Sequence, residues 1–337
     1  MRLAVVACAC LAVFASAAFA LSGCALGGAA GKSASDTSPH ATRQPSPSPP
    51  APSPLQLGTP DTYRIARRSL VFHERSRADP SLRVLRVTLR FPVGADIARY
   101  RATSKGLFPL LVFAPGYRQC AKFYSDLLAF WARAGYVVAA LDFPRTSCTV
   151  PNPDEADLAN QPGDVSFVIR RLLALSRDPR SALRGLAAGT VAVAGHSDGG
   201  DTVAAMAGAS CCRDRRIGAV VVLAGAEWPP LGRRWFAKPA PPMMFVQGTA
   251  DTWNFPAASL QLYQADTAGK RYYLNLPGAN HLSPYQGDGE PEPIVARVTL
   301  DFLDYYLLRQ RSRVISMWRA SRVPGVAVLV TGRRQPP

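Results

Sequence analysis

Two kinds of strand can be distinguished from the hydrophobic pattern of the chain. Residues 62–75 and 82–91 alternate apolar and polar positions, which is typical of strands that keep one face in water. We therefore expect these two segments to form an antiparallel pair at a sheet edge. Continuous apolar runs, typical of strands buried on both faces, occupy residues 107–114, 136–141, 191–194, 217–223 and 243–246, and a further strand is expected at 271–276.

Apolar residues with helical spacing fill most of the intervals between these strands. The predicted helices are residues 121–134, 164–176, 256–268 and 293–309. Strands that alternate with helices in this way predict an α/β fold: a mostly parallel central sheet, antiparallel at its N-terminal edge, with helices on both faces. The tail, residues 314–337, is expected to form a short helix and an extended piece packed on the surface.

The segment 191–200, Val-Ala-Val-Ala-Gly-His-Ser-Asp-Gly-Gly, predicts a buried strand, a tight turn and a helix. Ser197 falls on the turn, between Gly195 and Gly199, where the strand and the helix must nearly touch. The N-terminus of the helix provides N–H groups that stabilise developing negative charge. We interpret the segment as a nucleophile elbow, and a purely structural turn is the alternative.

A serine nucleophile needs a base, and the chain contains four histidines. His40 falls in a polar, proline-rich N-terminal stretch, and His73 falls in the first edge strand. His196 adjoins Ser197, and its side chain is expected to point away from the nucleophile. His281 directly follows the last predicted strand and fits the chain order serine, acid, histidine. We therefore predict His281 as the base.

The acid that orients the histidine should come after the strand at 243–246, the one before the strand that His281 follows. Asp251 does so, and it is the predicted third member of a catalytic triad with Ser197 and His281. A helix cap near Pro256 is the alternative role for Asp251. Asp266 is the weaker competitor, because it lies within or after the predicted helix.

An oxyanion hole would complete this site, and it needs two backbone N–H groups. One is expected from Asp198, directly after the nucleophile, and the other from Tyr117 in the loop after strand 107–114. A surface aromatic in a turn is the alternative interpretation of Tyr117. No metal or cofactor is implied by these residues.

The N-terminus has the pattern of an exported lipoprotein. Residues 1–23 contain one charge, followed by an apolar run, as in a secretory signal peptide. The end of this segment, Leu-Ser-Gly-Cys at 21–24, resembles a bacterial lipobox, and the resemblance implies that Cys24 is lipid-modified. An ordinary secreted protein and a transmembrane helix are the alternatives. Residues 24–57 are rich in Ala, Ser and Pro and are expected to form a disordered tether, and residues 58–337 a single folded domain.

The chain is strongly basic, with 39 Lys and Arg against 23 Asp and Glu, a formal net charge of +16. The arginines are scattered, and no recognised nucleic-acid module is present, so nucleic acid is not expected as a partner. We expect instead a monomer, anchored through Cys24 to the outer face of a bacterial membrane, that acts on a small-molecule or lipid ester.

Together these motifs resemble the α/β-hydrolase superfamily. Within it the chain is similar to the lid-less bacterial esterases grouped with dienelactone hydrolase, platelet-activating-factor acetylhydrolase, chlorophyllase and cutinase-type polyester hydrolases. The segments that carry the resemblance are 111–116, 195–200, 248–251 and 277–281. The resemblance implies hydrolysis of carboxylic esters through an acyl-enzyme on Ser197. A serine peptidase or amidase of the same fold, and a binding lipoprotein without activity, are the alternatives.

The chain departs from the usual family pattern at two positions. Pro115 stands where the oxyanion loop usually has histidine, and Asp198 stands where many relatives have an apolar or amide residue. A carboxylate at Asp198 would either disfavour anionic substrates or point into solvent. Aromatic residues near the site (Trp228, Trp235, Phe236, Trp253 and Phe255) suggest an apolar acyl or aryl pocket, or else the packing of loops.

Four cysteines belong to the folded domain, an even number in an oxidising compartment, and sequence alone allows three pairings. In the implied fold, Cys120 and Cys148 follow neighbouring strands at the active-site end. A disulfide between them would brace the oxyanion loop. Cys211 and Cys212 would then be free, bonded to each other, or exchanged into other pairs.

Overall fold

The computed structural model describes residues 62–75, 83–103, 106–232, 235–236, 240–267, 270–287 and 289–332. The expected signal peptide (1–23), Cys24 and the tether (24–57) lie outside the described residues. Within the described part of the chain, no helix combines the length and the apolar character needed to cross a bilayer.

The described residues form one nine-stranded sheet with the order β1-β2-β4-β3-β5-β6-β7-β8-β9. The strands are β1 Arg64–Glu74, β2 Arg83–Val93, β3 Phe108–Ala114, β4 Val137–Asp142, β5 Ala187–His196, β6 Ile217–Leu223, β7 Met243–Gly248, β8 Arg271–Leu276 and β9 Val328–Thr331. Strand β2 is antiparallel to both of its neighbours, whereas β3 to β8 run parallel. The antiparallel edge and the parallel centre are therefore confirmed.

Helices cover both faces of the sheet. They are α1 Ala95–Thr103, α2 Ser125–Arg133, α3 Gln161–Arg177, α4 Asp198–Gly208, α5 Pro256–Ala265, α6 Pro291–Leu307 and α7 Arg313–Ala320, with short 3-10 turns at Ala121–Tyr124, Glu155–Asn160 and Pro229–Leu231. Strand side chains point alternately to the two faces. Thus Leu110 and Val112 of β3 join one core with α3, α4 and α5, and Leu111 and Phe113 join the other with α2, α6 and α7.

The structure corrects the sequence-based expectation for the tail. The extended piece does not simply pack on the surface: it joins the central sheet as β9, antiparallel to β8. Leu329 is buried between the exposed Val328 and Val330, so the piece has the alternation of an edge strand. Its pairing satisfies backbone groups of β8 that an open edge would leave unpaired.

Two helical segments also differ from the prediction. The helix expected at 121–134 begins as a 3-10 turn over Ala121–Tyr124 and becomes α-helical only at Ser125. Helix α1, Ala95–Thr103, was not predicted, because it has little apolar periodicity and contributes Ile97 to the core.

Candidate active site

Ser197 occupies a strained turn between β5 and α4. Its backbone has φ 55° and ψ −126°, a region that non-glycine residues rarely adopt. A hydrogen bond of 3.0 Å from the Ser197 N–H to the Leu223 carbonyl fastens the turn to the next strand. A Cβ atom on Gly195 would overlap the carbonyl of Gly199, so glycine is required where the strand and the helix meet.

The imidazole of His281 lies at the carboxyl end of β8, paired with a carboxylate from the end of β7. Its Nδ1 is 2.7 Å from Oδ2 of Asp251, and both side chains are almost fully buried. Since an ionised carboxylate only accepts hydrogen bonds, Nδ1 donates the proton, and Nε2 is left with its lone pair. This tautomer is the one that a general base requires.

Asp251 is held in place by more than the imidazole. Its Oδ1 accepts hydrogen bonds from the backbone N–H groups of Trp253 (2.9 Å) and Asn254 (3.0 Å), and its Oδ2 accepts from Nε2 of Gln247 (3.0 Å). Burial raises the pKa of the Asp251 carboxyl, but these bonds, above all the one to His281, outweigh it and leave the pKa below its usual value. The carboxylate is therefore ionised at neutral pH.

The competing assignments for the acid can now be compared. Helix α5 is preceded by Phe255, and the carboxylate of Asp251 closes the loop before the helix instead of capping it. Asp266 directly follows α5, where its N–H donates to the carbonyl of Leu262. Asp251 is thus the carboxylate that the structure brings to His281.

A buried hydrogen-bond chain beneath the elbow was not predicted from the sequence. The Gly116 N–H donates to Oη of Tyr124 (3.4 Å), the Tyr124 hydroxyl donates to Nδ1 of His196 (2.8 Å), and Nε2 of His196 donates to the backbone carbonyl of His281 (2.8 Å). The carbonyl can only accept, so it fixes the tautomer of His196. This series of hydrogen bonds connects the loop after β3, the turn at Ser197 and the loop that carries His281.

The imidazole of His196 is neutral in this series of hydrogen bonds. Burial, followed by the proximity of His281, lowers the pKa of His196 to about 3. Its ring lies 4.6 Å from the His281 ring, measured between centroids. The His196 side chain bonds to Tyr124 and to the backbone of His281, and it thereby positions the segment that carries the second histidine. Nothing in the sequence signals this role, because the partners are brought together by the sheet.

The loop after β3 lies directly against Ser197. A Cβ atom on Gly116 would lie 2.9 Å from Cβ of Ser197. The Tyr117 phenol donates to the carbonyl of Pro153 (2.9 Å), so this half-buried side chain contacts the loop after β4 and is not simply a surface aromatic. Asp198 begins α4, and the N–H groups of a first helical turn lack helical partners. Gly116, the residue before Tyr117, and Asp198 thus lie on either side of Ser197.

The described residues contain two disulfides, one of which joins two of these loops. Cys120 and Cys148 are bonded, with 5.4 Å between their Cα atoms, and the Cys148 N–H donates to the carbonyl of Gln119 (3.3 Å). This bridge fastens the loop after β3 to the loop after β4. Cys211 and Cys212 form a vicinal disulfide shortly after α4.

The chain was also compared with known proteins. The family model described as Chlorophyllase matches residues 83–227. The chain has an α/β-hydrolase fold. The match covers β2 to β6, with the loop after β3 and Ser197, and ends before Asp251 and His281. The match covers less than half of the chain. It supports membership of the α/β-hydrolase superfamily and identifies the class of protein as a hydrolase. A search of curated proteins gives no match.

The hydrolase fold carries a buried carboxyl, that of Asp198, directly after Ser197. The side chain of Asp198 is 8% exposed, and its Oδ2 has no hydrogen-bond partner among the described residues. Burial, followed by the negative charge of Glu155, raises the pKa of Asp198 to about 7. Asp201, also buried, accepts from the Ala226 N–H (2.6 Å), and burial raises its pKa well above the usual value. Asp198 therefore does not point into solvent.

The raised pKa of Asp198 predicts an unusual pH dependence of stability. The folded protein binds this proton more tightly than the unfolded chain, so stability is lost as pH rises from about 4 towards 7. The difference in free energy of unfolding between Asp198→Asn and wild type should therefore shift in favour of the variant by on the order of 3 kcal/mol when the pH is raised from 4.5 to 8. Urea unfolding at both pH values measures this gain. The exposed Asp96→Asn is the control and should show no gain; an equal response of the two variants would contradict the account.

Proposed function

We propose that this protein is a serine hydrolase of carboxylic esters with short to medium acyl groups, including lipid or polyester-like substrates. The observation that carries the proposal is the 2.7 Å hydrogen bond between His281 and Asp251, which follow the neighbouring strands β8 and β7 at the edge of the sheet where β5 ends in the strained Ser197 turn. Serine, carboxylate and imidazole, in this order along the chain, are the parts of a nucleophilic triad. The match to the chlorophyllase family also points to ester substrates.

The proposed reaction has two stages. Oγ of Ser197 attacks the acyl carbon while Nε2 of His281 takes its proton, and the N–H groups of Tyr117 and Asp198 hold the oxyanion. The tetrahedral intermediate collapses as the imidazolium gives its proton to the departing alcohol, which leaves an acyl group on Ser197. In the second stage His281 takes a proton from water as the water oxygen attacks the acyl carbon. The imidazolium then returns this proton to Oγ of Ser197 as the bond between Oγ and the acyl carbon breaks and the acid is released. Asp251 holds the imidazole and stabilises its cation.

We also propose that the protein is exported and anchored to the outer face of a bacterial membrane through a lipid on Cys24. The pattern of residues 1–24 supports this location. The two disulfides agree with it, because such bonds persist in oxidising compartments. In this arrangement residues 24–57 would be a tether for a monomeric hydrolase domain, residues 58–337.

Matched esters and amides test the proposed reaction. The purified full-length protein would be assayed on p-nitrophenyl esters of two to twelve acyl carbons and on the corresponding p-nitroanilides. We expect saturable hydrolysis of the esters and kcat/KM at least 10³-fold lower on the anilides. Anilide hydrolysis equal to ester hydrolysis would favour an amidase. A folded protein inactive on both series would favour a binding lipoprotein.

A further inference from the structure

Two large aromatic side chains stand exposed beside the candidate base. Trp253 is 65% exposed and Phe255 is 66% exposed. The other aromatic pair singled out in the sequence, Trp235 and Phe236, is buried at 6% and 7%, so loop packing accounts for that pair. Packing does not account for Trp253 and Phe255, because about two thirds of each side chain remains in contact with solvent.

Hydrogen bonds hold the loop that carries Trp253 and Phe255 in place. Besides the bonds from its backbone to Asp251, Nδ2 of Asn254 donates to the carbonyl of Ala224 (2.6 Å), and the carbonyl of Asn254 accepts from Nε2 of Gln247 (3.1 Å). The polar groups of the loop thus point into the protein, and the two aromatic residues on either side of Asn254 are exposed. A preorganised apolar surface binds a ligand without first paying the entropy of ordering the loop.

The position of Trp253 indicates which part of a substrate would lie on this surface. Its ring lies 5.0 Å from the ring of His281, measured between centroids. In the proposed reaction the imidazole hands its proton to the oxygen of the departing alcohol, so this oxygen lies within hydrogen-bond reach of the ring. A group attached to this oxygen is therefore brought within reach of Trp253.

We propose that Trp253 and Phe255 form a binding surface for the alcohol part of the ester, and that the preferred substrates have apolar or aromatic alcohols. This inference rests on the proposed function and adds a specificity that the triad alone does not provide. A bilayer surface and a protein partner are other occupants of exposed aromatics. The contact with His281 favours the alcohol group of the substrate.

Two series of alkyl esters test the assignment. In the alcohol series, ethyl, hexyl and decyl acetates share one acyl-enzyme and have leaving alcohols of similar acidity. In the acyl series, ethyl acetate, hexanoate and decanoate share one alcohol. Wild-type kcat/KM should rise along the alcohol series. Trp253→Ala and Phe255→Ala in the full-length protein should each lower kcat/KM for decyl acetate about tenfold more than for ethyl acetate, and Trp253→Phe should recover part of this loss.

The controls separate this inference from its alternatives. Val71→Ala removes an exposed apolar side chain from the edge strand β1, which is separated from β7 by five strands in the sheet order. This variant should keep wild-type kcat/KM on both ester series. An equal loss on ethyl and decyl acetates would indicate a merely structural role and overturn the proposal. The proposal would also be overturned if the loss of kcat/KM in the Trp253 and Phe255 variants grew with the length of the acyl group. It would likewise be overturned if these variants bound vesicles more weakly but kept wild-type kcat/KM on both ester series. Absence of any ester hydrolysis by wild type would instead refute the proposed function itself.

Discussion

Ser197→Ala should abolish ester hydrolysis, lowering kcat by about 10⁵-fold, while KM changes little. The alanine variant keeps the fold but has no oxygen to attack the acyl carbon, and only binding and the oxyanion donors remain. Initial rates on p-nitrophenyl butyrate at high enzyme concentration measure the loss, and a thermal unfolding curve checks that the variant is folded.

A serine close to the base provides the control for this variant. Ser283 lies two residues after His281, where its N–H donates to Oδ1 of Asn280. Ser283→Ala should retain activity within about twofold, because the account gives its hydroxyl no role in the reaction. A folded Ser197→Ala variant with more than a few per cent of wild-type kcat would contradict Ser197 as the nucleophile.

Asp251→Asn should lower kcat about 10⁴-fold at neutral pH. An amide at this position can donate to Nδ1, which would then carry the lone pair and leave the proton on Nε2, the nitrogen that must accept it from the serine. The neighbouring hydrogen bonds from Trp253 and Asn254 to Oδ1 can persist, so the loss should come from the tautomer and not from a collapsed loop.

The competing carboxylate offers a matched comparison. Asp266→Asn should reduce kcat by less than about threefold once the folded fraction is taken into account, because Asp266 lies beyond α5 and Asp251 is the acid bonded to His281. If Asp266→Asn caused the large loss and Asp251→Asn the small one, the assignment of the acid would be wrong. Both variants would be assayed from pH 5 to pH 9 to follow the titration of the base.

Strands β1 to β8 were predictable because each of them carries its own signal. Buried strands are continuous apolar runs, and the bounds of β6 and β8 agree with the prediction at both ends. The segment around Ser197 was also informative, since Gly195 and Gly199 lie where the backbone approaches too closely for a Cβ atom. Because parallel strands end at one edge of the sheet, residues that follow β5, β7 and β8 could be expected to lie near one another.

Features that depend on distant contacts could not be predicted. The Tyr124–His196 bond joins residues 72 positions apart, and neither residue signals the other. The burial of Asp198 depends on how α4 sits on the sheet, and its sequence position suggested only that it adjoins the nucleophile. Strand β9 was missed for a related reason: a short extended segment becomes an edge strand only when a partner such as β8 is available.

Covalent labelling tests the central claim most directly. The full-length protein would be treated with a fluorophosphonate, digested and mapped by mass spectrometry, beside Ser197→Ala and Asp251→Asn. The account predicts one label per chain, on Ser197, with no label in the alanine variant and a labelling rate at least 10²-fold lower in the asparagine variant. Labelling of another residue, or no labelling of folded wild type, would contradict a serine nucleophile at this site.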